Sequence, residues 1–253
     1  MASDNTSSQI RVMQMMQKGL NGWNRGGKNR TKKFMNQVVP DERRNISFPK
    51  DGMILRQTMR DLPRVKEPQH KTDRHNFDHC WFTKNEVAAF VPSKTEVGFK
   101  YQIPDALVKR FVRFHLVDQV KGESSSWSSE NVKKAFLSGT VEKVEGSKAT
   151  IHLKGYTKCT AEPTGEKNPF HGMVMDKQLG IELKIVGRLT YDSSTKSFEK
   201  FDMLGIGKRW GTTTYSFRHK DQYPSAIGFD FELVSNKPEN RIRPKFLFSG
   251  YFE

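Results

Sequence analysis

A mainly β fold is what the sequence predicts: an antiparallel barrel or sandwich of about eight or nine strands, with short peripheral helices and an extended basic N-terminal arm. Three observations carry the prediction. From Ala135 onward, apolar residues recur with a period of two almost everywhere. Turn signals rich in Gly, Ser and Asp interrupt that alternation at intervals of about ten residues or a little more. Ahead of it, residues 1–75 hold 16 Lys and Arg against 7 Asp and Glu, so +9 of the total charge of +15 lies in less than a third of the 253 residues.

Taken in order, the first element is an arm. Ile10, Met13, Gln17 and Leu20 have helical spacing, with Arg11 and Lys18 elsewhere on the wheel. Gly22–Lys33 is then polar, Gly-rich and basic, a composition that buries little. Pro40, Pro49, Pro63 and Pro68 make residues 39–71 an extended strap with one strand at Met53–Gln57. The division expected is therefore an arm and strap over 1–75 and a β-rich globular domain over 76–253. Thr83 and Glu86 form a capping-box pattern that starts a short helix running to Phe90, stopped by Pro92. Leu107, Phe111 and Phe114 have helical spacing, whereas Val112, Phe114 and Leu116 alternate. This predicts a helix from Pro104 to about Arg110 and a strand to Val117. Ala135–Val144 and Ala149–Tyr156 flank the hairpin signal at Glu145–Lys148. Ile181–Tyr191 and Phe198–Leu204 flank another at Asp192–Ser197. Gly211–Phe217, Ile227–Val234 and Lys245–Phe252 complete the expected strands.

Several classes are excluded. Nineteen scattered Gly do not make collagen, and two Cys do not make a disulfide scaffold. No uncharged apolar run approaches the roughly 20 residues of a bilayer span. Arg11 and Lys18 interrupt what would be the apolar core of a secretory signal, so no intact signal is expected in Met1–Gly27. Cys80 and Cys159 are either two separate thiols or one bridge; the count leaves both open.

Residues 76–234 resemble an uncharacterised β-rich family of planctomycete-type bacteria. The residues carrying the likeness are Arg113–Asp118 with Lys121–Glu123 and Trp127, then Gly187–Asp192, Phe201, Asp202, Gly207, Trp210, Gly211 and Gly228–Leu233. Proteins of that family usually carry export signals, so the resemblance implies an extracytoplasmic setting. It brings no established activity and no catalytic residue.

The chemistry-bearing residues fall into a few groups. Arg25, Lys28, Arg30, Lys32 and Lys33 crowd one Gly-rich stretch and suit contacts to phosphate or sulfate. Lys208, Arg209 and Trp210 set an indole beside two cations, a combination suited to a stacked base or a sugar ring. Tyr215, Phe217, Arg218 and His219 are expected to extend that surface along the next strand. His70, His75, His79 and Cys80 are candidate ligands for Zn or Cu, with His75 and His79 able to share one helical face and Cys159 or His171 as distant partners. The spacing is no standard zinc motif, and no other cofactor is expected. His115 with Asp118 is the candidate base and orienter, near the hydroxyls of Ser124–Ser126. As neighbours on a strand these two would point to opposite faces. Gly205–Gly211 lacks the third glycine of a nucleotide fingerprint, so Trp210 packing over a close strand approach is the reading preferred there.

The function these features point to is a non-enzymatic binding or assembly module, engaging a polyanion (nucleic acid or acidic polymer) or an acidic protein. The alternatives are a structural or shell-forming subunit of a larger assembly, and a metal-dependent enzyme using the His70–Cys80 cluster.

Overall fold

The computed structural model describes residues 16–18, 21, 48–63, 75–167, 172, 174–175, 177–247 and 250–252. The chain divides into two units, Met1–Ile46 and Ser47–Glu253. In the first, Met16, Gln17, Lys18 and Asn21 are helical and exposed, and Gln17 Nε2 donates to Asn21 Oδ1 at 3.1 Å.

Eight strands make the second unit: β1 (Met53–Asp61), β2 (His75–Phe82), β3 (Lys100–Gln102), β4 (Val132–Glu145), β5 (Lys148–Ala161), β6 (Leu179–Asp192), β7 (Ser197–Trp210) and β8 (Ser225–Val234). They form one antiparallel sheet in the order β2-β1-β8-β7-β6-β5-β4-β3. The sheet is open, with β2 and β3 at its edges, so the expected barrel or sandwich closes no further than this. Period-two patterning made the long strands. In β5, for example, Ile151 and Leu153 are fully buried while Lys154 faces out. The hairpin at Glu145–Lys148 turns through Gly146 at φ 58°, a left-handed conformation that a two-residue hairpin turn needs.

Two helices accompany the sheet. Helix α1 (Lys84–Ala88) begins at the expected capping box: Thr83 Oγ1 accepts from the Glu86 N–H, and Glu86 Oε2 accepts from the Thr83 N–H at 2.8 Å. Helix α2 (Asp105–His115) lies against the inner face of the sheet, with Phe111 5.0 Å from Phe231 of β8 between ring centroids. Large residues and glycines alternate across that face, as in the cross-strand row Leu137, Gly155, Ile185, Gly205. This leaves depth for what covers the sheet. Tyr101, for instance, lays its ring where a Cβ on Gly139 would stand.

Four expectations change. The globular unit starts near Ser47 rather than Asn76, because β1 is an interior strand between β2 and β8. Leu55 and Met59 face the core, and so do Gln57 and Asp61, which made the strand look like a polar strap. The strand expected from Phe111 to Val117 is instead the second half of α2 to His115, with Leu116 and Val117 beyond its end. Gly211–Phe217 is a loop, broken by positive φ at both Gly211 and Phe217. Among the described residues of Lys245–Phe252 none is in a strand either; the aromatic residues Phe246 and Tyr251 insert into the core.

Candidate polyanion-binding face

The two faces of the sheet differ in chemistry. The inner face is mainly apolar, with buried polar residues such as Gln57, Asp61 and Arg209; the outer face is a grid whose rows follow from the strand register. One row reads Lys134, Lys158, Glu182, Lys208 across β4 to β7. The next reads Phe136, Tyr156, Lys184, Ile206, and the third Ser138, Lys154, Val186, Leu204. Neighbours within a row lie about 4.8 Å apart between strands, and adjacent rows are about 7 Å apart along them.

Tyr156 therefore has Phe136 on one side and Lys184 on the other, with Lys154 and Lys158 before and after it on its own strand. The Phe136 and Tyr156 rings are stacked, 6.2 Å between centroids with 29° between planes. The Tyr156 hydroxyl donates to Glu182 Oε1 at 2.8 Å, which fixes the ring. That bond, with the charge of Lys208 at 3.4 Å, holds the Glu182 carboxyl below its usual range, while burial and the same bond push the Tyr156 hydroxyl up. Phe136, Val186, Leu204 and Ile206 are each more than 40% exposed, an apolar floor between basic rows.

The charges along the face are unevenly paired. At one end, Arg188 pairs with Glu142 at 2.8 Å, Lys200 with Asp202 at 2.8 Å, and Arg56 with Glu232. At the other, Lys134, Lys154, Lys158 and Lys184 make no ion pair among the described residues. Five lysines against one glutamate leave a local balance of +4 around the two aromatic rings.

The structure separates the expected group Lys208, Arg209, Trp210. Lys208 is on the outer face, and Trp210, two residues on, lays its indole over Gly180, where any Cβ would collide with the ring. This is the close strand approach expected of the Gly205–Gly211 segment. Arg209 points the other way and is 1% exposed, so it is corrected from surface cation to buried ion. It joins a knot of three carboxylates, Asp61, Asp118 and Asp221, and three cations, Lys121, Arg209 and Arg218. Arg218, expected on the aromatic-basic surface, is likewise 1% exposed and forks onto Asp61 (2.7 and 2.8 Å) and Asp118 (2.9 and 2.8 Å). Burial works against its charge, but those two carboxylates outweigh it and raise its pKa. Tyr215 and Phe217 are exposed on the loop above.

The other candidates are not brought together. Arg25, Lys28, Arg30, Lys32, Lys33, His70 and His171 lie outside the described residues. His75 and His79 are on a strand, not a helix, so about 13 Å of chain separates them. They share the outer face of the sheet, while Cys80 points inward. Burial and the charge of Arg56 push the His79 pKa down. Among the described residues, no group of three or more His, Cys, Asp or Glu is placed to hold a metal ion. Cys80 and Cys159 are two buried thiols, and burial pushes Cys159 up to about 12. His115 ends α2 rather than sitting on a strand, and its Nε2 meets the Tyr251 hydroxyl at 2.7 Å. Burial, then the charge of Arg110, holds its pKa well below the usual value. Asp118 is committed to Arg218 instead, so the His115–Asp118 pair does not form; Ser124 Oγ faces Thr213 Oγ1 at 3.5 Å.

The residues that sequence reasoning missed are Lys134, Phe136, Lys154, Tyr156, Lys158 and Lys184. Their signal was alternation along each strand, Lys-x-Phe on β4 and Lys-x-Tyr-x-Lys on β5. No helix among the described residues is long and apolar enough to cross a membrane. Compared with known proteins, the chain matches no family model, no curated protein and no solved structure.

Proposed function

We propose that this protein is a non-enzymatic binding module that engages a polyanion, a nucleic acid or another acidic polymer, through the outer face of its sheet, with the basic arm adding charge. One observation carries the reading: four lysines without ion pairs among the described residues surround the exposed Phe136 ring and the half-buried Tyr156 ring stacked beside it, while cations at the other end of the same face are neutralised. Charge left unpaired on a folded surface is available to displace counterions from a polymer, and the resulting affinity falls steeply with salt.

The test is affinity for a labelled nucleic acid at several salt concentrations, using three proteins. These are the intact chain, a variant with Lys154 and Lys184 changed to Gln, and a variant with Arg25, Lys28, Arg30, Lys32 and Lys33 changed to Gln. The two face substitutions should flatten the slope of log K against log salt by about 1.5, at 0.7–0.9 for each lost phosphate contact. The arm variant should flatten it as well. Slopes identical in all three proteins, or no binding by the intact chain at low salt, would overturn the reading.

A further inference from the structure

We propose that the outer face takes single-stranded nucleic acid, with bases stacked on Phe136 and Tyr156 and phosphates held by Lys134, Lys154, Lys158 and Lys184. This rests on the polyanion reading above and narrows it to one class of polymer.

Charge alone does not explain the face. A polyphosphate or an acidic polypeptide, which carries charge but no ring to stack, needs lysines but gains nothing from a phenylalanine. Phe136 is 45% exposed, and its cross-strand neighbour Tyr156 has its hydroxyl tied to Glu182. The two rings, 6.2 Å between centroids and 29° apart in tilt, stand side by side on the outer face of the sheet, Phe136 exposed and Tyr156 half-buried and tethered. Val186, Leu204 and Ile206 continue it across β6 and β7 as an apolar floor for further base or sugar faces.

The aromatic faces of bases are free only in a single strand. A duplex hides them in its own stack, and the described face of a broad sheet offers no helix for the major groove. Stacking on aromatic side chains beside a basic track is the general way a protein holds single strands with little sequence preference. Charge placement also suggests a path. Glu182 repels a phosphate from its own position, so the backbone is expected past Lys154 and Lys184. From β4 to β7 the platform spans about 14 Å, room for on the order of two nucleotides of extended strand.

The experiment is fluorescence anisotropy with the full chain against oligouridylate, oligothymidylate, duplex DNA, heparin and polyglutamate at one salt concentration. Phe136→Ala, Tyr156→Ala and the double variant are compared with a Phe136→Tyr control that keeps a stacking ring. The intact chain should prefer both single strands. Each alanine should weaken single-strand binding about tenfold, with heparin binding unchanged and Phe136→Tyr close to the parent. The uridylate and thymidylate arms distinguish RNA from DNA as the source of the same chemistry; tighter binding of either over duplex supports the proposal. Equal affinity for single strands, duplex and heparin, unaffected by the alanines, would overturn stacking while leaving the polyanion reading intact. Tightest binding to polyglutamate would overturn it in favour of an acidic protein. Binding to none of the probes would overturn both readings. Unchanged circular dichroism in the variants excludes loss of fold as the cause.

Discussion

Replacing Arg218 with Met should cost about 3 kcal/mol of stability, and the reason is the company Arg218 keeps. Its guanidinium makes a two-pronged contact with Asp61 and another with Asp118, and a further contact with Asp221 at 3.2 Å. It is 1% exposed, so water cannot take over for a missing cation. Breaking a buried ion pair by removing one partner costs roughly 3–5 kcal/mol, mostly from the charge left behind. Here the lower end applies. Three carboxylates would still face Lys121, 2.8 Å from Asp221 and 3.7 Å from Asp61, and Arg209, 3.6 Å from Asp118. The knot as a whole need not be more stable than an apolar core would be; the cost belongs to unbalancing it. Urea unfolding should show the midpoint falling by about 1–1.5 M, for a slope of about 2–3 kcal/mol per molar. Arg218→Lys should lie between the parent and Arg218→Met, since an ammonium restores the charge without reaching both carboxylates as a fork. Adding Asp118→Asn to Arg218→Met should recover part of the loss. Stability of Arg218→Met within about 1 kcal/mol of the parent, or of Arg218→Lys equal to it, would refute the reasoning.

Asp78 and the capping box give three further expectations. Burial raises the Asp78 carboxyl from 3.8 to about 6, against the pull of the His79 and Lys245 N–H groups that both donate to its Oδ1. A raised carboxyl contributes stability below its unfolded value that is lost as pH climbs through about 6. Asp78→Asn keeps the acceptor and should therefore stabilise at pH 7 by up to about 3 kcal/mol, with no gain near pH 4, as read by thermal melts at the two pH values. Thr83→Ala removes a cap and should cost about 1 kcal/mol. Glu86→Ala also strips the carboxylate from Arg110, which is 4% exposed and 2.6 Å away, and should cost about 3 kcal/mol; equal losses in urea unfolding would show that pair to be idle.

What the sequence made legible followed from regular alternation. Strands β4 to β8 were readable because apolar and polar residues take turns in them, and α1 because Thr83 and Glu86 satisfy each other's backbone. Helix α2 was read only halfway. Leu107, Val108, Arg110, Phe111, Val112, Phe114 and His115 are all buried, so Arg113 is the helix's one half-exposed polar residue after Lys109, and the alternation of Val112, Phe114 and Leu116 then mimics a strand. Strand β1 was read in part, as Met53–Gln57; its full length and its interior place were masked by Gln57 and Asp61, polar residues at core-facing positions whose partners come from distant segments: Gln57 donates to the His115 carbonyl, and Asp61 receives Arg218. Lys245–Phe252 looked like a strand because aromatic residues favour strands, but here they serve as a plug. The binding face fell between these cases. Alternation along one strand puts Lys154, Tyr156 and Lys158 together, yet only register sets Phe136 and Lys184 beside them.

The place of β1 in the sheet also constrains how the chain is made. Ile54 pairs with Val234, 180 residues later, whereas β4 to β8 are joined each to the next in sequence. During synthesis the β4–β7 meander can assemble as it emerges, but the first strand has no partner on its β8 side until residues 225–234 have left the ribosome. Contacts of such long range are closed late and slowly. Until then β1 and β7 each present an unpaired edge, carrying Leu55 and Met59 on one and Phe201 and Met203 on the other, the kind of surface a nascent chain can least safely expose. Variants that weaken β1 are therefore expected to lower the yield of folded protein in cells by more than their effect on equilibrium stability.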